Sequence, residues 1–408
     1  MRETGIELAR RFYTERVAPE LAGVPHAAAL LGSGSEVLGF DDEVSPDHDF
    51  GPRVQVFTEV PVSLPAGAAV TTAGRFFAGR LGVDPGTGMS LTDWLVSPTQ
   101  ILAGLTGGAV FHDPAGELAS RRDALRWYPG DVWRYALAAG WLKVAQEEAF
   151  VARAGSTGDD LGSRILAARL ARELIRLCFL VERRWAPYAK WLGRAFGELA
   201  LAGRVAPLLA EATGAGHWRD REAALGAAAG VVAAATNELD LCAPVDPAVR
   251  QFHDRDIRVL GAERFTVALT AAITDPEVRA LLARLGVRRD TAVGALPGTV
   301  DQAVDSTDVL SNPARFRAAA PMLRGRVAVA ADAELTVTVR SMRPYGYLVE
   351  TADGRDGLID ITKATEPPPA VGDRVLVAVL DDSRSPWRLS ALPADIEIAR
   401  SRRRDRGD

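Results

Sequence analysis

The segment Gly32–Asp49, which reads GSGSEVLGFDDEVSPDHD, carries two sets of residues that together suit phosphate and metal chemistry. Gly32 lets the backbone approach a phosphate closely, the Ser33 hydroxyl can hydrogen-bond to it, and a helix after this pair would add free N–H groups. Asp47 and Asp49 are separated by one residue, so in an extended segment their carboxylates point to the same face. We therefore expect Gly32 and Ser33 to bind a nucleotide. We expect Asp47 and Asp49 to be catalytic residues that hold Mg²⁺.

An alternative interpretation of the same segment is a turn followed by an acidic surface loop, because stretches rich in Gly, Ser and Asp are usually loops. The co-occurrence of the Gly-Ser pair with Asp-x-Asp at a short distance favours the nucleotide site over the loop. The expected substrate is then an NTP such as ATP, and the expected cofactor is Mg²⁺.

The order of a Gly-Ser pair and a later Asp-x-Asp pair resembles the superfamily of polymerase-beta-like nucleotidyltransferases. Three further segments extend the resemblance, over most of Met1–Ala320, to one branch of that superfamily, domain of unknown function 4037. These segments are YPGDVW at Tyr128–Trp133, RRWAPYAKW at Arg183–Trp191 and VDQAVDSTDVL at Val300–Leu310. The resemblance implies a nucleotidyltransferase core in which Gly32, Ser33, Asp47 and Asp49 take the phosphate and metal roles. It implies no particular acceptor.

A third carboxylate is the part of the pattern that the sequence does not supply. Active members of the superfamily usually carry one on a neighbouring strand, as a metal ligand or general base. The expected strand, Ala68–Thr72, contains no acid, and the nearest downstream acids are Glu59, Asp84 and Asp93. Without this acid, activation of a nucleophile is less plausible, whereas nucleotide binding is unaffected.

Lys190 is the best candidate for the positive charge that a triphosphate needs beyond Mg²⁺. It lies close to Arg183 and Arg184 in the sequence, and Trp185 and Trp191 could stack on a base. The alternative is an amphipathic helix whose tryptophans are core residues and whose basic residues are solvated.

Three other polar positions are weaker candidates. Lys143 could also reach a phosphate, and Arg53 could do so or could form a salt bridge. The acidic cluster at Asp301, Asp305 and Asp308 could fold back near the site, although capping a helix is the commoner role for such residues.

Composition bounds the class of protein. The chain has 408 residues, of which 48% are hydrophobic and 25% charged, which is typical of a globular protein with two or three domains. The net charge of −5 argues against coating nucleic acid by bulk electrostatics. Two cysteines support neither a disulfide framework nor a zinc site, and the amphipathic N-terminus is not typical of a secretory signal. No apolar run is long enough to span a bilayer, so we expect a cytoplasmic protein.

Hydrophobic periodicity predicts an α+β protein with successive regions. Residues 1–114 are expected to form a small mixed-sheet core, which the resemblance implies is nucleotidyltransferase-like. The period of 3.6 in residues 115–320 predicts a helical bundle, which by the same resemblance completes the site. Residues 326–393 contain five short strands, which predict an antiparallel OB barrel. The charged tail, 394–408, is expected to be disordered.

The C-terminal region, with TVTVRSMRPYGYLVE, DGLIDIT, VGDRVLVAVL and WRLSAL, resembles the S1-type OB-fold RNA-binding domain. That family stacks bases on aromatic side chains and contacts phosphates with basic ones. The resemblance implies RNA-binding roles for Tyr345, Tyr347 and Arg388. Asp360 departs from the pattern, because many S1 domains carry histidine there. The alternative is a barrel used for packing or protein contact, with Tyr347 in its core.

Three hypotheses follow from the sequence. The first is an Mg²⁺-dependent nucleotidyltransferase that transfers NMP from an NTP to an RNA or small-molecule acceptor, with the S1-like barrel recruiting RNA. The second is a catalytically inactive adaptor that binds nucleotide or RNA. The third is an interaction protein in which both regions serve packing.

Overall fold

The chain forms two compact units, residues 1–320 and 321–408. The computed structural model describes residues 3–41, 51–287, 296–304, 310, 334–352, 356–381 and 386–406, with side chains to residue 401. Throughout these residues, none of the helices has the length and apolar character needed to cross a membrane.

The first unit contains a small sheet and many helices. Its strands are β1 Ala27–Leu30, β2 Val54–Phe57, β3 Ala68–Thr71, β4 Ala109–His112, β5 Arg250–Gln251 and β6 Arg258–Val259. Its helices are α1 Gly5–Phe12, α2 Ala73–Leu81, α3 Leu91–Val96, α4 Thr99–Thr106, α5 Glu117–Ala124, α6 Gly130–Glu147, α7 Phe150–Ser156, α8 Asp160–Val181, α9 Ala189–Phe196, α10 Ala202–Gly214, α11 Trp218–Asn237, α12 Glu263–Ala271, α13 Pro276–Arg284 and α14 Val300–Ala303.

The main sheet has the strand order β3-β2-β1-β4 and is mixed, as the sequence predicts. β1 is antiparallel to both β2 and β4, whereas β2 and β3 are parallel. β1 is buried along its whole length, which explains its continuous apolar sequence, AAAL. Ala27 lies opposite Phe57 and Ala29 opposite Gln55. Because the two strands are antiparallel, the last residues of β1 and the first residues of β2 lie at the same end of the sheet.

One hydrophobic core joins the sheet to the helices. It includes Ala29 of β1, Phe77 of α2, Trp141 of α6, Leu174 of α8 and Phe265 of α12, all of them buried. The regions 1–114 and 115–320 therefore share a core, and both belong to the first compact unit.

The second unit is a closed barrel followed by a helix. Its elements are β7 Glu334–Arg343, β8 Gly346–Thr351, β9 Asp356–Asp360, β10 Arg374–Asp381, β11 Trp387–Ser390 and α15 Pro393–Arg406. The strands close in the order β10-β11-β9-β8-β7.

The barrel is not antiparallel throughout, which corrects the prediction. β9 and β11 are parallel, with Trp387 opposite Gly357, and the other four neighbouring pairs are antiparallel. The reason is geometric. In a closed ring of five strands the direction cannot alternate at every step, because five is odd, so at least one pair of neighbours must be parallel.

The tail also differs from its prediction as a disordered segment, because the chain is helical over Pro393–Arg406. Ile396 and Ala399 are buried against Ala378 of β10. The Asp395 carboxylate accepts hydrogen bonds from Lys363 Nζ at 2.9 Å and from Ser390 Oγ at 2.6 Å. A few apolar residues at helical spacing thus anchor a segment whose overall composition suggests disorder.

Candidate nucleotide site

The loop at the end of β1, Gly32–Glu36, is held in one conformation by its neighbours. The side chain of Gln55 in β2 forms two hydrogen bonds with the backbone of Leu31, the residue before the loop. Leu31 N donates to Gln55 Oε1 at 2.9 Å, and Gln55 Nε2 donates to Leu31 O at 3.3 Å. Gly32 N donates to Gly104 O of α4 at 2.9 Å. The loop is therefore fixed before any ligand arrives, which lowers the entropy cost of binding.

Glycine is required at two positions of this contact. Gly32 has φ +98°, a conformation that a residue with a Cβ rarely adopts. A Cβ on Gly104 would overlap the carbonyl oxygen of Gly32, so α4 and the loop touch backbone to backbone. Gly32 and Gly104 thus allow the loop and α4 to approach each other closely, while a contact of Gly32 with phosphate stays a prediction.

Over the described residues after Gly32 and Ser33, up to Asp41, the chain forms no helix that would add free N–H groups. Residues 32–39 form bends and turns, and within the described part of the chain no helix or strand lies between β1 and β2. Ser33 is exposed. Any phosphate at this loop would therefore meet the Ser33 hydroxyl and individual loop N–H groups, without the dipole of an ordered helix.

Arg53 is a partner of the loop through hydrogen bonds and an ion pair. Its Nη2 donates to Ser33 O at 2.6 Å, its Nε donates to Glu36 Oε1 at 2.9 Å, and it forms a salt bridge with Glu36. The sequence left a phosphate role and a salt-bridge role open for Arg53. The structure shows a salt bridge, with Glu36 as the partner.

The metal-ligating residues expected from the sequence, Asp47 and Asp49, lie outside the described residues, as does His48 between them. The segment containing them precedes Gly51, and the chain then enters β2 through Arg53, beside the loop. Two described acids near the loop are already engaged. Glu36 pairs with Arg53, and Asp41 Oδ2 accepts from Gly5 N at 2.7 Å.

The structure gives the three candidate third acids no place at this site. Asp84 receives two hydrogen bonds from Arg121, at 2.8 and 2.9 Å, and that guanidinium lowers the pKa of the Asp84 carboxyl. Asp93 caps α3 together with Ser90. Glu59 follows β2 at the end of the strand remote from Gly32. Among the described residues, no group of three His, Cys, Asp or Glu side chains could hold a metal ion.

Helix α9 carries Lys190 and packs against Phe40, which follows the Gly32–Glu36 loop in the sequence. Lys190 is exposed, with Nζ 4.7 Å from the ring centroid of Trp191, and Trp191 lies 5.5 Å from the ring of Phe40. Arg194 Cζ lies 5.4 Å from the Phe40 ring and 5.6 Å from the Trp191 ring. Arg194 is not among the sequence-predicted site residues, although its spacing of four residues from Lys190 places both on one helix face.

The tryptophans near Lys190 are packing residues, which corrects their proposed availability to a base. Trp191 is buried. Trp185 lies within an aromatic cluster, 4.3 Å from Trp127 and 4.6 Å from Tyr128 between ring centroids, and its Nε1 donates to Leu125 O at 3.0 Å. Trp191 is thus a core residue of α9, as the amphipathic-helix interpretation expects, whereas Trp185 is packed in the segment before that helix.

Lys143 and Asp301 have structural partners. Lys143 lies 3.2 Å from the Glu173 carboxylate and donates to Gln302 O at 3.1 Å. Asp301 is buried and accepts hydrogen bonds from the backbone N and the hydroxyl of Thr99, both at 2.9 Å. Thr99 begins α4, the helix that contacts Gly32. Asp305 and Asp308 lie outside the described residues.

The barrel exposes one of the two predicted aromatic residues and buries the other. Tyr345, in the turn between β7 and β8, is 55% exposed, whereas Tyr347 is 3% exposed in the barrel core. The stacking role for Tyr347 is therefore corrected to a core role. Arg388 is half-buried on β11, and its charge is among the influences that lower the pKa of Asp360, after the hydrogen bonds from Thr362.

Comparison with known proteins finds one family model that matches part of the first unit. Residues 94–192 match the family described as Domain of unknown function (DUF4037). The match includes YPGDVW and RRWAPYAKW, and it lies outside the segments Gly32–Asp49 and Val300–Leu310. No curated protein matches the chain.

Proposed function

We propose that this protein binds an NTP at the Gly32–Glu36 loop and, with Mg²⁺, transfers its nucleoside monophosphate to an RNA or small-molecule acceptor. The observation that carries the proposal is the loop itself. Its first residue is a left-handed glycine, it is pinned by Gln55 and Gly104, and it lies beside the start of β2. The Asp47-x-Asp49 segment precedes β2 in the sequence.

The proposed reaction is a nucleophilic displacement at the α-phosphorus of the NTP. The acceptor hydroxyl oxygen forms a bond to the α-phosphorus, the bond from that phosphorus to the α,β-bridging oxygen breaks, and pyrophosphate leaves. The hydroxyl proton passes to water or to a basic group. Asp47 and Asp49 have the oxygen ligands that Mg²⁺ prefers, and the ion, when bound, would offset negative charge on the phosphates. The Ser33 hydroxyl would hold a phosphate oxygen, and Lys190 would add positive charge.

The test compares the full-length protein with the double variant Asp47→Asn/Asp49→Asn, using NTPs, Mg²⁺ and RNA. We expect pyrophosphate release and labelled transfer by the wild-type protein and at least a hundredfold loss in the variant. Asp254→Asn is the matched control, because Asp254 is an exposed acid in a turn of the helical region. Equal labelling by wild type and the double variant would exclude the assignment.

A second candidate function is that of a nucleotide-binding adaptor without turnover. The observation that favours it is that none of the three candidate third acids is available at the loop among the described residues: Asp84 pairs with Arg121, Asp93 caps α3 with Ser90, and Glu59 follows the end of β2 that is remote from Gly32. Calorimetry would then show Mg²⁺-dependent NTP binding, lost in the double variant, with no pyrophosphate formed. Pyrophosphate release that depends on Asp47 and Asp49 would exclude this candidate.

The barrel is proposed to bind single-stranded RNA through the turn between β7 and β8. The support is a set of exposed side chains of suitable chemistry. Tyr345 and Met342 are 55% and 65% exposed, and Arg343 is also exposed. An aromatic ring beside a guanidinium group is the combination that stacks a base and contacts a phosphate.

Tyr345→Ala tests this role by fluorescence anisotropy with labelled single-stranded RNA. We expect about a tenfold to hundredfold weaker affinity, because stacking contributes about 1–3 kcal/mol per base. Ile398→Ala on α15 is the control, since Ile398 is similarly exposed. If both variants bind RNA as tightly as the wild type does, the barrel does not use this turn.

A further inference from the structure

The Arg80 guanidinium lies against the Gly32–Glu36 loop, with no carboxylate partner among the residues that the structure describes. It lies near the end of α2, with Cζ 3.8 Å from the centroid of the Phe76 ring. A Cβ built on Gly32 would lie 2.8 Å from Arg80 Nε, so the guanidinium group sits directly against the glycine. Among the residues that the structure describes, Arg80 has no carboxylate partner and no hydrogen-bond acceptor.

Arg53 provides the contrast, because it contacts the same loop with its charge compensated. It pairs with Glu36 and donates to Ser33 O. Burial of Arg80, and after it the positive charge of Arg53, lower the pKa of the Arg80 guanidinium. Among the described residues, a second cation thus lies half-buried near the first, in contact with the Phe76 ring and with no carboxylate partner, an environment that favours binding of an anion.

The architecture of the loop identifies the kind of anion. No helix follows Gly32 in the described part of the chain, so the loop lacks the dipole that often stabilises a phosphate at such a position. Beyond Mg²⁺, positive charge at this loop then comes from side chains. A guanidinium group offers two parallel N–H donors that match the spacing of phosphate oxygens, and Phe76 fixes its plane.

We propose that Arg80 binds the β- or γ-phosphate of the NTP at the Gly32–Glu36 loop. This inference rests on the proposed function, since it names a phosphate contact of the same site. It also gives a role to a residue that no motif in the sequence marks. Gly32 is part of the proposal, because any side chain there would displace the Arg80 guanidinium.

Isothermal titration calorimetry of the full-length protein tests the proposal with Mg²⁺-ATP and with inorganic tripolyphosphate as probes. For Arg80→Gln we expect about a tenfold to hundredfold weaker binding of both probes, because a charge-assisted bond to phosphate is lost. Arg80→Lys retains the charge without the paired donors, so its affinity should be intermediate. Arg75→Gln is the matched control: it removes an exposed arginine from the same helix.

The outcomes separate this inference from the function on which it rests. If the wild-type protein binds neither probe, the proposed nucleotide site fails together with the inference. If the wild type binds both and Arg80→Gln binds them as tightly as Arg75→Gln does, Arg80 has only a packing role and the nucleotide site stands. If Arg80→Gln does not fold, Arg80→Lys compared with Arg75→Lys decides: equal affinity in the two overturns the inference.

Discussion

Glu148 shows how a single buried carboxyl joins two helices of the first unit. It follows α6, and its carboxylate accepts hydrogen bonds from Leu260 N at 2.8 Å, Gly261 N at 3.2 Å and Ala262 N at 3.0 Å, at the start of α12. The Glu148 carboxylate thus satisfies backbone N–H groups at a helix start, which the helix itself leaves unpaired. Burial nevertheless raises the pKa of Glu148 from 4.5 to about 7.

This raised pKa predicts a pH-dependent stability. The folded state favours the protonated form, so the stabilisation from Glu148 is fully present below about pH 4.5 and is lost as the pH rises through about 7. We expect Glu148→Gln to remove up to about 3 kcal/mol of pH dependence across this window. Urea unfolding at pH 5 to 8 measures it. Glu211→Gln, at an exposed helical position, should leave the pH dependence unchanged.

At the residue scale, the sequence predicts features that depend on the type of a residue and on its immediate neighbours. It does not predict contacts between residues that are far apart in the chain. The special conformation of Gly32 follows from glycine at the end of an apolar strand. Arg80 is 48 positions later, and the β2–β3–α2 path that brings it to Gly32 leaves no local motif. Tyr345 and Tyr347 are two apart, which suggests a common face, but Tyr345 lies in a turn before β8 begins, so the alternation does not extend to it.

Helix α4 is the element on which the proposed site depends most directly. Its first residue, Thr99, holds the buried Asp301, and its Gly104 touches the backbone of Gly32. The helix therefore links the segment that contains α14 to the loop. Asp301 is thus connected to the loop through Thr99, which lies 202 positions earlier in the sequence.

Gly104→Ala tests this contact. The added methyl group would overlap the Gly32 carbonyl oxygen, so α4 or the loop must move, and we expect about 1–3 kcal/mol of destabilisation. NTP affinity should fall as well, because the loop is no longer fixed. Denaturant unfolding and calorimetry measure the two effects. The control is Gly203→Ala in α10, where the structure shows no atom within 4 Å of the added Cβ. Unchanged stability and affinity in Gly104→Ala would contradict this role for α4.

At the element scale, local patterns predict individual strands and helices. They do not predict how strands pair once the barrel closes, or which segments pack on the barrel. The five barrel strands follow from alternating apolar residues and turn signals. The parallel pairing of β9 with β11 appears only when an odd number of strands forms a ring. The sequence does not predict helix α15 for a related reason. Its few apolar residues stabilise a helix only when β10 provides a surface against which Ile396 and Ala399 can pack.

The whole molecule consists of two compact units, each with its own buried core. Two cores of different composition should unfold as separate cooperative transitions. The first unit is largely helical around a four-stranded sheet, and the second is a small barrel whose helix α15 covers part of β10.

Calorimetry of the full chain tests this organisation with a pair of matched variants in one helix. Ile396 is 7% exposed and Ile398 is 50% exposed. We expect Ile396→Ala to destabilise the barrel unit by about 2–4 kcal/mol, lowering one transition and leaving the other in place, and Ile398→Ala to change neither appreciably. A single transition that shifts as a whole in Ile396→Ala would show that the two units unfold together.

The aromatic cluster around Trp185 has an optical consequence. The indole rings of Trp127 and Trp185 lie 4.3 Å apart at an interplanar angle of 30°, close enough for their electronic transitions to couple. Trp127 precedes α6 and Trp185 follows α8, so the two chromophores meet only when these helices are packed together. The native protein should therefore show an exciton couplet in circular dichroism. Replacing either indole with phenylalanine would abolish this couplet, which makes it an intrinsic reporter of helix packing in the first unit.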